Sequence, residues 1–412
     1  MCYTLTMKRL FRVSFDLLII SIVPVLSWIL LGFILDSNLA NTFSLTYPLQ
    51  CLIGAIVAIF GTGANISKYR DKNRSATDNG IFYGILMSTL LFTFIIVNCD
   101  SYIEFMNMDA EIYRTFCIYS LIQILCQIIL MLNLNKYYYQ NKNQQANKIA
   151  SFYNLINLMT LIGTAIITRN QIITSIVASA VLILMSIVIS LKTIRKIDFH
   201  LNFKNCIRYD SSALSCSILH FLTYLFGFSN SFQFGEEYMT AINFATIVTD
   251  TQWDAANAID TVAKVDLAKQ KFNTQQHIKN AFKLHSCFII SILLLSAALF
   301  PFYKPNLLIT GVIIGLHILD FAADSIPRVK MCFLQLEDSA LKNTTHLSIA
   351  QLLRFILSFL PTPFCTIIGQ ICSSAYELVF SQLNYHKYIT AQQRLVATNP
   401  IIIDEASGSL EN

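Results

Sequence analysis

The chain is 412 residues long, 55% hydrophobic and only 13% charged, with a formal net charge of +5. Soluble domains carry about a quarter charged residues, so this composition excludes an ordinary soluble enzyme and points to a polytopic membrane protein. The 11 cysteines are scattered through apolar runs, without a CxxC pair or a Cys/His spacing suited to zinc, so neither a disulfide framework nor a metal site is expected.

Hydropathy and breakers predict twelve spans. The first six run Phe11 to Leu35, Ala40 to Ile66, Asn79 to Val97, Ile112 to Asn133, Ala150 to Ile167 and Ile172 to Leu191. After a basic connection come Ser212 to Phe228, the polar Tyr238 to Val262, Ala281 to Phe302, Asn306 to Cys332, Thr345 to Leu360 and Cys365 to Tyr385. The first apolar run is too long for a signal-peptide core and reads as an uncleaved span. Residues 391–412 read as a short cytoplasmic tail.

Charge placement supports the count. Lys8, Arg9 and Arg12 precede span one, and Lys68, Arg70, Lys72 and Arg74 follow span two. Basic groups recur after spans four, six, eight and ten, while the opposite side is mostly acidic (Asp36, Asp100, Glu104, Asp109, Glu111, Glu236, Glu237). The positive-inside rule then places both termini in the cytoplasm. The polar connections after spans two and four return after spans eight and ten, about 195 residues on, which is a parallel repeat of six spans. The expected fold is therefore an all-α membrane protein with twelve transmembrane helices in two six-helix lobes, 1–200 and 201–390.

Span ten, NLLITGVIIGLHILDFAADSIP, carries His317, Asp320 and Asp324 at spacings that share one helix face. An acid at membrane depth is costly and by default marks an ion or substrate path, though acids near a helix end can also reach the headgroups. Span eight adds Asp250, Trp253, Asp254, Asn257 and Asp260, the first pair of acids one turn apart. Such acids can take a proton from one side and release it to the other, or offer Na⁺ the oxygen ligands a hard cation prefers. Unpaired acids also attract a cationic substrate, for which Trp253 offers a π face, unless Trp253 is an interface anchor. In the first half Gln123, Gln127, Asn154 and Asn157 form a polar lining that equally suits helix–helix hydrogen bonding. Arg354, inside span eleven, reads as the partner of an acid such as Glu377.

The stretch TYPLQCLIGAIVAIFGTGANISKYRDKN, Thr46 to Asn73, resembles the second helix of the multidrug and toxic compound extrusion (MATE) transporters. The matching positions are Pro48, Gly54, Gly61, Gly63, Ala64 and Lys68. KYYYQNKNQQANKIASFYNLINLMTLIGTAII is similar to that family's link between helices four and five, with Asn157 in helix five, and Tyr238 to Phe272 is similar to its eighth helix and exit loop. The resemblance implies secondary transport without a cofactor, H⁺ or Na⁺ serving as coupling ion, with Asp320 or Asp324 in the helix-ten role. It also exposes departures: the family's helix-one acid falls at Trp28 and its helix-five acid at Leu161.

These readings converge on a secondary antiporter in the cell membrane, exporting a small organic compound, cationic or not, in exchange for H⁺ or Na⁺, with coupling through Asp320, Asp324, Asp250 and Asp254. Trp253, Asn257, Asn157, Gln127 and His317 are the expected substrate contacts, the lipid bilayer is the partner, and the unit is a monomer. A flippase for a lipid-linked saccharide and a degenerate, non-transporting assembly partner remain alternatives. The sequence has no GxGD, HExxH, GxSxG or P-loop pattern, so neither catalysis nor direct ATP drive is expected, and the basic loops lack a nucleic-acid pattern.

Overall fold

A computed structural model describes residues 2–140, 142–250, 256–259, 262–263, 266, 273–336 and 340–398. Among them there is no β-strand. Apolar runs of this length become helices because hydrocarbon offers a backbone N–H or C=O no other partner than its own helix. The first half comprises α1 (Cys2–Ile34), α2 (Thr42–Ile56), α3 (Ala64–Arg70), α4 (Ala76–Val97), α5 (Cys99–Phe105), α6 (Ala110–Tyr139), α7 (Asn143–Thr168) and α8 (Gln171–Thr193). The second comprises α9 (Phe203–Tyr209), α10 (Ser211–Phe232), α11 (Glu236–Thr249), α12 (Thr274–Tyr303), α13 (Leu307–Leu336), α14 (Ala340–Leu357) and α15 (Cys365–Thr398). A π-helical turn, Val57–Gly63, joins α2 to α3, so that span two is one rod from Leu39 to Lys68. Polar caps define several ends. Asn170 accepts from the N–H groups of Ile172 and Ile173 to start α8, and Asn273 accepts from that of Gln276 to start α12.

Among the described residues a helix overlaps each expected span, span eight being described without a break only to Asp250, and the helices differ in apolarity. Seven of those described are long and apolar enough to cross a membrane, and eight if α9 and α10, bent by 79°, form one broken span. Shorter apolar helices are Val25–Ile34 within α1 and Thr345–Leu357 within α14, which carries the buried Arg354. Side chains such as Phe94 on α4, Leu184 and Leu191 on α8, Leu294 on α12 and Leu308 on α13 stay more than 60% exposed, which suits lipid as the surrounding solvent.

Two contacts between the halves organise the interior. Along one, α2 lies against α10. Gly54 permits this approach, since a Cβ there would stand 2.4 Å from Ser217 Oγ. The Asn243 side chain of α11 accepts from Ser44 Oγ of α2 at 2.8 Å. The second contact lies at the other end of the bundle, where Leu10 of α1 packs with Ala258, Ile259, Val262, Ala281, Leu284 and Val329. An ion pair covers that cluster: Arg9 Nη1 meets Asp266 Oδ1 at 2.5 Å, and Asp266 Oδ2 lies 3.1 Å from His277 Nε2.

Candidate functional site

Between the two halves lies a narrow cleft whose walls include Tyr47 of α2, Tyr224 and Phe228 of α10, Asp250 at the end of α11, His317 of α13 and Gln370 of α15. Pro363, Phe364 and Thr366, at the turn into α15, close one end. The space left among these side chains, about 30 Å³ for water centres, admits roughly two waters. Its aromatic wall is ordered edge to face. The rings of Tyr47 and Tyr224 are 4.9 Å apart at 85°, and Phe228 follows Tyr224 at 5.3 Å.

A polar network behind this wall joins four helices. Asp320 of α13 is 1% exposed and accepts from Gln370 Nε2 at 2.5 Å and from Ser374 Oγ at 2.6 Å. The same Gln370 uses its Oε1 to accept from Arg354 Nη2 of α14 at 3.3 Å. Arg354 also donates to Tyr224 Oη at 3.0 Å and to His220 Nε2 at 2.7 Å, while its guanidinium carbon lies 5.6 Å from the centre of the Tyr224 ring. An arginine only donates, so His220 accepts through Nε2 and carries its proton on Nδ1. Gly369 brings α15 close enough for this network, because a Cβ there would meet the Arg354 carbonyl oxygen at 3.0 Å. Carboxylate and guanidinium are thus buried together but separated by one amide. Gln370 is the only member of the network that faces the carboxylate, the guanidinium and the cleft.

The residues singled out in the sequence separate in space. Asp320 is in the network, while Asp250 and His317 line the cleft, where His317 Nδ1 has no hydrogen-bond partner. Asp324 is buried but ion-paired to Arg328 Nε, one turn along α13, at 2.6 Å. Asn257 is exposed and not part of the cleft wall. Trp253, Asp254 and Asp260 lie outside the described residues. In the first half Asn157 is buried and accepts from Tyr119 Oη at 3.2 Å, a contact between α6 and α7, and Gln127 on α6 is half-buried away from the cleft. The expected pairing of Arg354 with Glu377 is corrected: its partners are His220, Tyr224 and Gln370, and no carboxylate among the described residues reaches ion-pair distance.

Sequence reasoning passed over Tyr47, His220, Tyr224, Gln370 and Ser374. Two signals were present. His220 with Tyr224, and Gln370 with Ser374, are pairs of polar side chains four residues apart in otherwise apolar helices, the spacing that stacks them on one face.

A mostly apolar helical bundle with a buried ionic network beside a cleft between its halves is the architecture of a multi-pass membrane protein. No family model matches the sequence, and no curated protein matches it. Solved structures do. The chain superposes with a TM-score of 0.64 and 12% identity on an inward-facing multidrug resistance MATE family transporter of the MOP superfamily, covering 89% of this chain and 95% of that one. An outward-facing MATE family transporter matches at 0.60 and 16% identity, over 94% and 96%. A MOP superfamily transporter from Pyrococcus furiosus, whose binding pocket is described as reversed in polarity with a different function suggested for it, matches at 0.62 and 15%, over 92% and 96%. The chain has the fold of these transporters.

Proposed function

We propose that the protein is a secondary transporter, built as twelve spans in two six-helix lobes (1–200 and 201–390), that exports an organic cation in exchange for protons by alternating access. It acts as a monomer in the cell membrane with both termini in the cytoplasm. The observation that carries this reading is the sharing of Gln370 between Asp320, Arg354 and the cleft. A proton on Asp320 Oδ1 only reverses the bond to Ser374, whose hydroxyl can donate or accept. A proton on Oδ2 faces the amide N–H₂, so Gln370 must either withdraw or turn its amide over, which sets N–H₂ against the Arg354 donors. Either way Arg354 loses its bond to Gln370 and the cleft wall changes, so that proton loading favours one arrangement of the lobes over the other.

Proton coupling suits this chemistry better than Na⁺. Both Asp320 oxygens already face donors, and a guanidinium stands one amide away, whereas Na⁺ requires several free oxygens. Asp250 and the faces of Tyr47, Tyr224 and Phe228 supply what a flat organic cation seeks, a carboxylate and aromatic π surfaces. Asp324 tunes the site through Arg328.

The test is efflux of a lipophilic organic cation from proteoliposomes, driven by a pH gradient or by a Na⁺ gradient at equal pH. Efflux under the first and none under the second is expected. Efflux under Na⁺ alone would refute proton coupling, and efflux under neither would refute transport of such cations.

A further inference from the structure

A second pocket, with about 270 Å³ for water centres, lies at the end of the bundle that the positive-inside rule assigns to the cytoplasm, far along the helices from the cleft. Its wall includes Lys68, Lys136, Lys142, Lys192 and Arg195 and a single carboxylate, Asp78. That acid is already engaged. Lys136 Nζ donates to Asp78, and the backbone N–H groups of Arg195 and Lys196 donate to its Oδ2 at 3.2 and 3.1 Å. Lys136 also donates to the carbonyl oxygen of Thr193 at 2.8 Å. The pocket therefore has a neutralised floor that fixes the end of α8, and a rim whose charged groups are all positive. Lys142, Lys192 and Arg195 on that rim are exposed.

We propose that this pocket binds the phosphate headgroup of an anionic phospholipid. Three observations favour a lipid over a free anion. The rim sits where the headgroups of the cytoplasmic leaflet lie, and basic pockets between spans on that side suit such headgroups. Lys192 directly follows Leu191, which is 76% exposed and ends an apolar strip of α8 that includes Ile187 and Leu184. A headgroup held by Lys192 and Arg195 thus has its acyl chains against a continuous lipid-facing surface. Finally, Lys142, Lys192 and Arg195 converge on the rim from two different connections and the end of α8, so one anion offsets their mutual repulsion.

The test uses the delipidated full chain in detergent, titrated with phosphatidylglycerol, phosphatidylcholine or inorganic phosphate, with bound lipid counted by native mass spectrometry. Phosphatidylglycerol is expected to bind at least tenfold more tightly than phosphatidylcholine, at on the order of fivefold per cation. K142Q/K192Q/R195Q should abolish that preference. K148Q/K204Q/K279Q, which removes the same charge from exposed sites outside the pocket, should preserve it. Equal losses in the two triple variants would mean that net charge alone attracts the lipid, which overturns the proposal. So would inorganic phosphate displacing phosphatidylglycerol as effectively as more phosphatidylglycerol does. If the pocket variant fails to fold, the wild type decides: the preference should collapse as salt is raised, and a salt-independent preference overturns the site.

Discussion

The two halves share a helical layout but fill their interiors differently. In the first, Trp28 is 1% exposed and packs edge-on to Phe116 and Tyr119, each 6.0 Å away, and Leu161 is fully buried. In the second, the corresponding interior holds Asp320, Arg354, Gln370 and His220. Around Trp28 the first half is an apolar core, its own Asp78–Lys136 ion pair standing apart at the second pocket, whereas the second half holds charges in its interior that cost stability to desolvate. On the proposed mechanism the charge of Asp320 does the switching, which puts the switch in the second half and leaves the first as scaffold.

The sharpest way to break that contrast is Asp320→Asn. Asparagine keeps the size but offers a donor on one side, cannot take up a proton and leaves Arg354 without its counter-charge. Gradient-driven efflux should fall by roughly 100-fold or more, the scale of losing a positioned proton carrier, while membrane insertion is retained. Normal pumping by Asp320→Asn would place coupling elsewhere. Trp28→Ala probes the other half. It should lower stability by about 3–5 kcal/mol through the cavity it opens among Phe116 and Tyr119, measured as unfolding in detergent. The pH dependence of transport in the surviving protein should stay unchanged, and an altered pH profile would contradict the scaffold assignment.

Much of this contrast was legible in the sequence, and the parts that were not share a cause. Asp320 stood out because a carboxylate inside an apolar span is conspicuous, and Trp28 and Leu161 because acids were expected there. Arg354 was equally visible, but its partners were not, since an arginine in a span suggests a carboxylate and the structure supplies neutral acceptors instead. Gln370 and Ser374 are ordinary in composition and gain meaning only from which helix they face. Asp324 shows the converse. Its one-turn spacing to Arg328 allows an ion pair, yet the sequence also allows both to stand apart in water, and only the fold selects the pair. Among the described residues seven helices, or eight with the bent pair, pass on length and apolarity, and the polar residues of interest in α14 and α15 dilute the apolar signal there.

The Asp324–Arg328 pair sharpens the comparison within the second half itself. If Asp324 acts through Arg328, Asp324→Asn should slow transport several-fold by removing the carboxylate that Arg328 Nε meets at 2.6 Å. Asp324→Asn with Arg328→Gln should recover most of the activity, because both charges vanish together. A double variant as impaired as the single one would give Asp324 a direct part in coupling, as the sequence first indicated.

The smallest expected effect lies in the loop joining the halves, where Asp198 is exposed yet strongly held. It accepts from Ser75 Oγ, from Asn79 Nδ2 and from the His200 N–H at 3.1 Å, while its own N–H donates to Asn79 Oδ1 at 3.1 Å. These hydrogen bonds favour the ionised form and hold its carboxyl down to about 2, from an ordinary 3.8. The sign follows from the depressed value. The unfolded chain takes up the proton first, so the stabilisation is complete above the ordinary value and is lost as pH falls from about 4 toward 2. Thermal unfolding of the wild type should therefore lose a small increment across that window, and Asp198→Asn should lack it. Because the group is solvent-exposed, the increment should be slight. An unfolding profile of Asp198→Asn that drops as steeply as the wild type would show that the loop is held to α4 by other contacts, such as the Tyr83 hydroxyl donating to the Phe199 carbonyl at 2.9 Å.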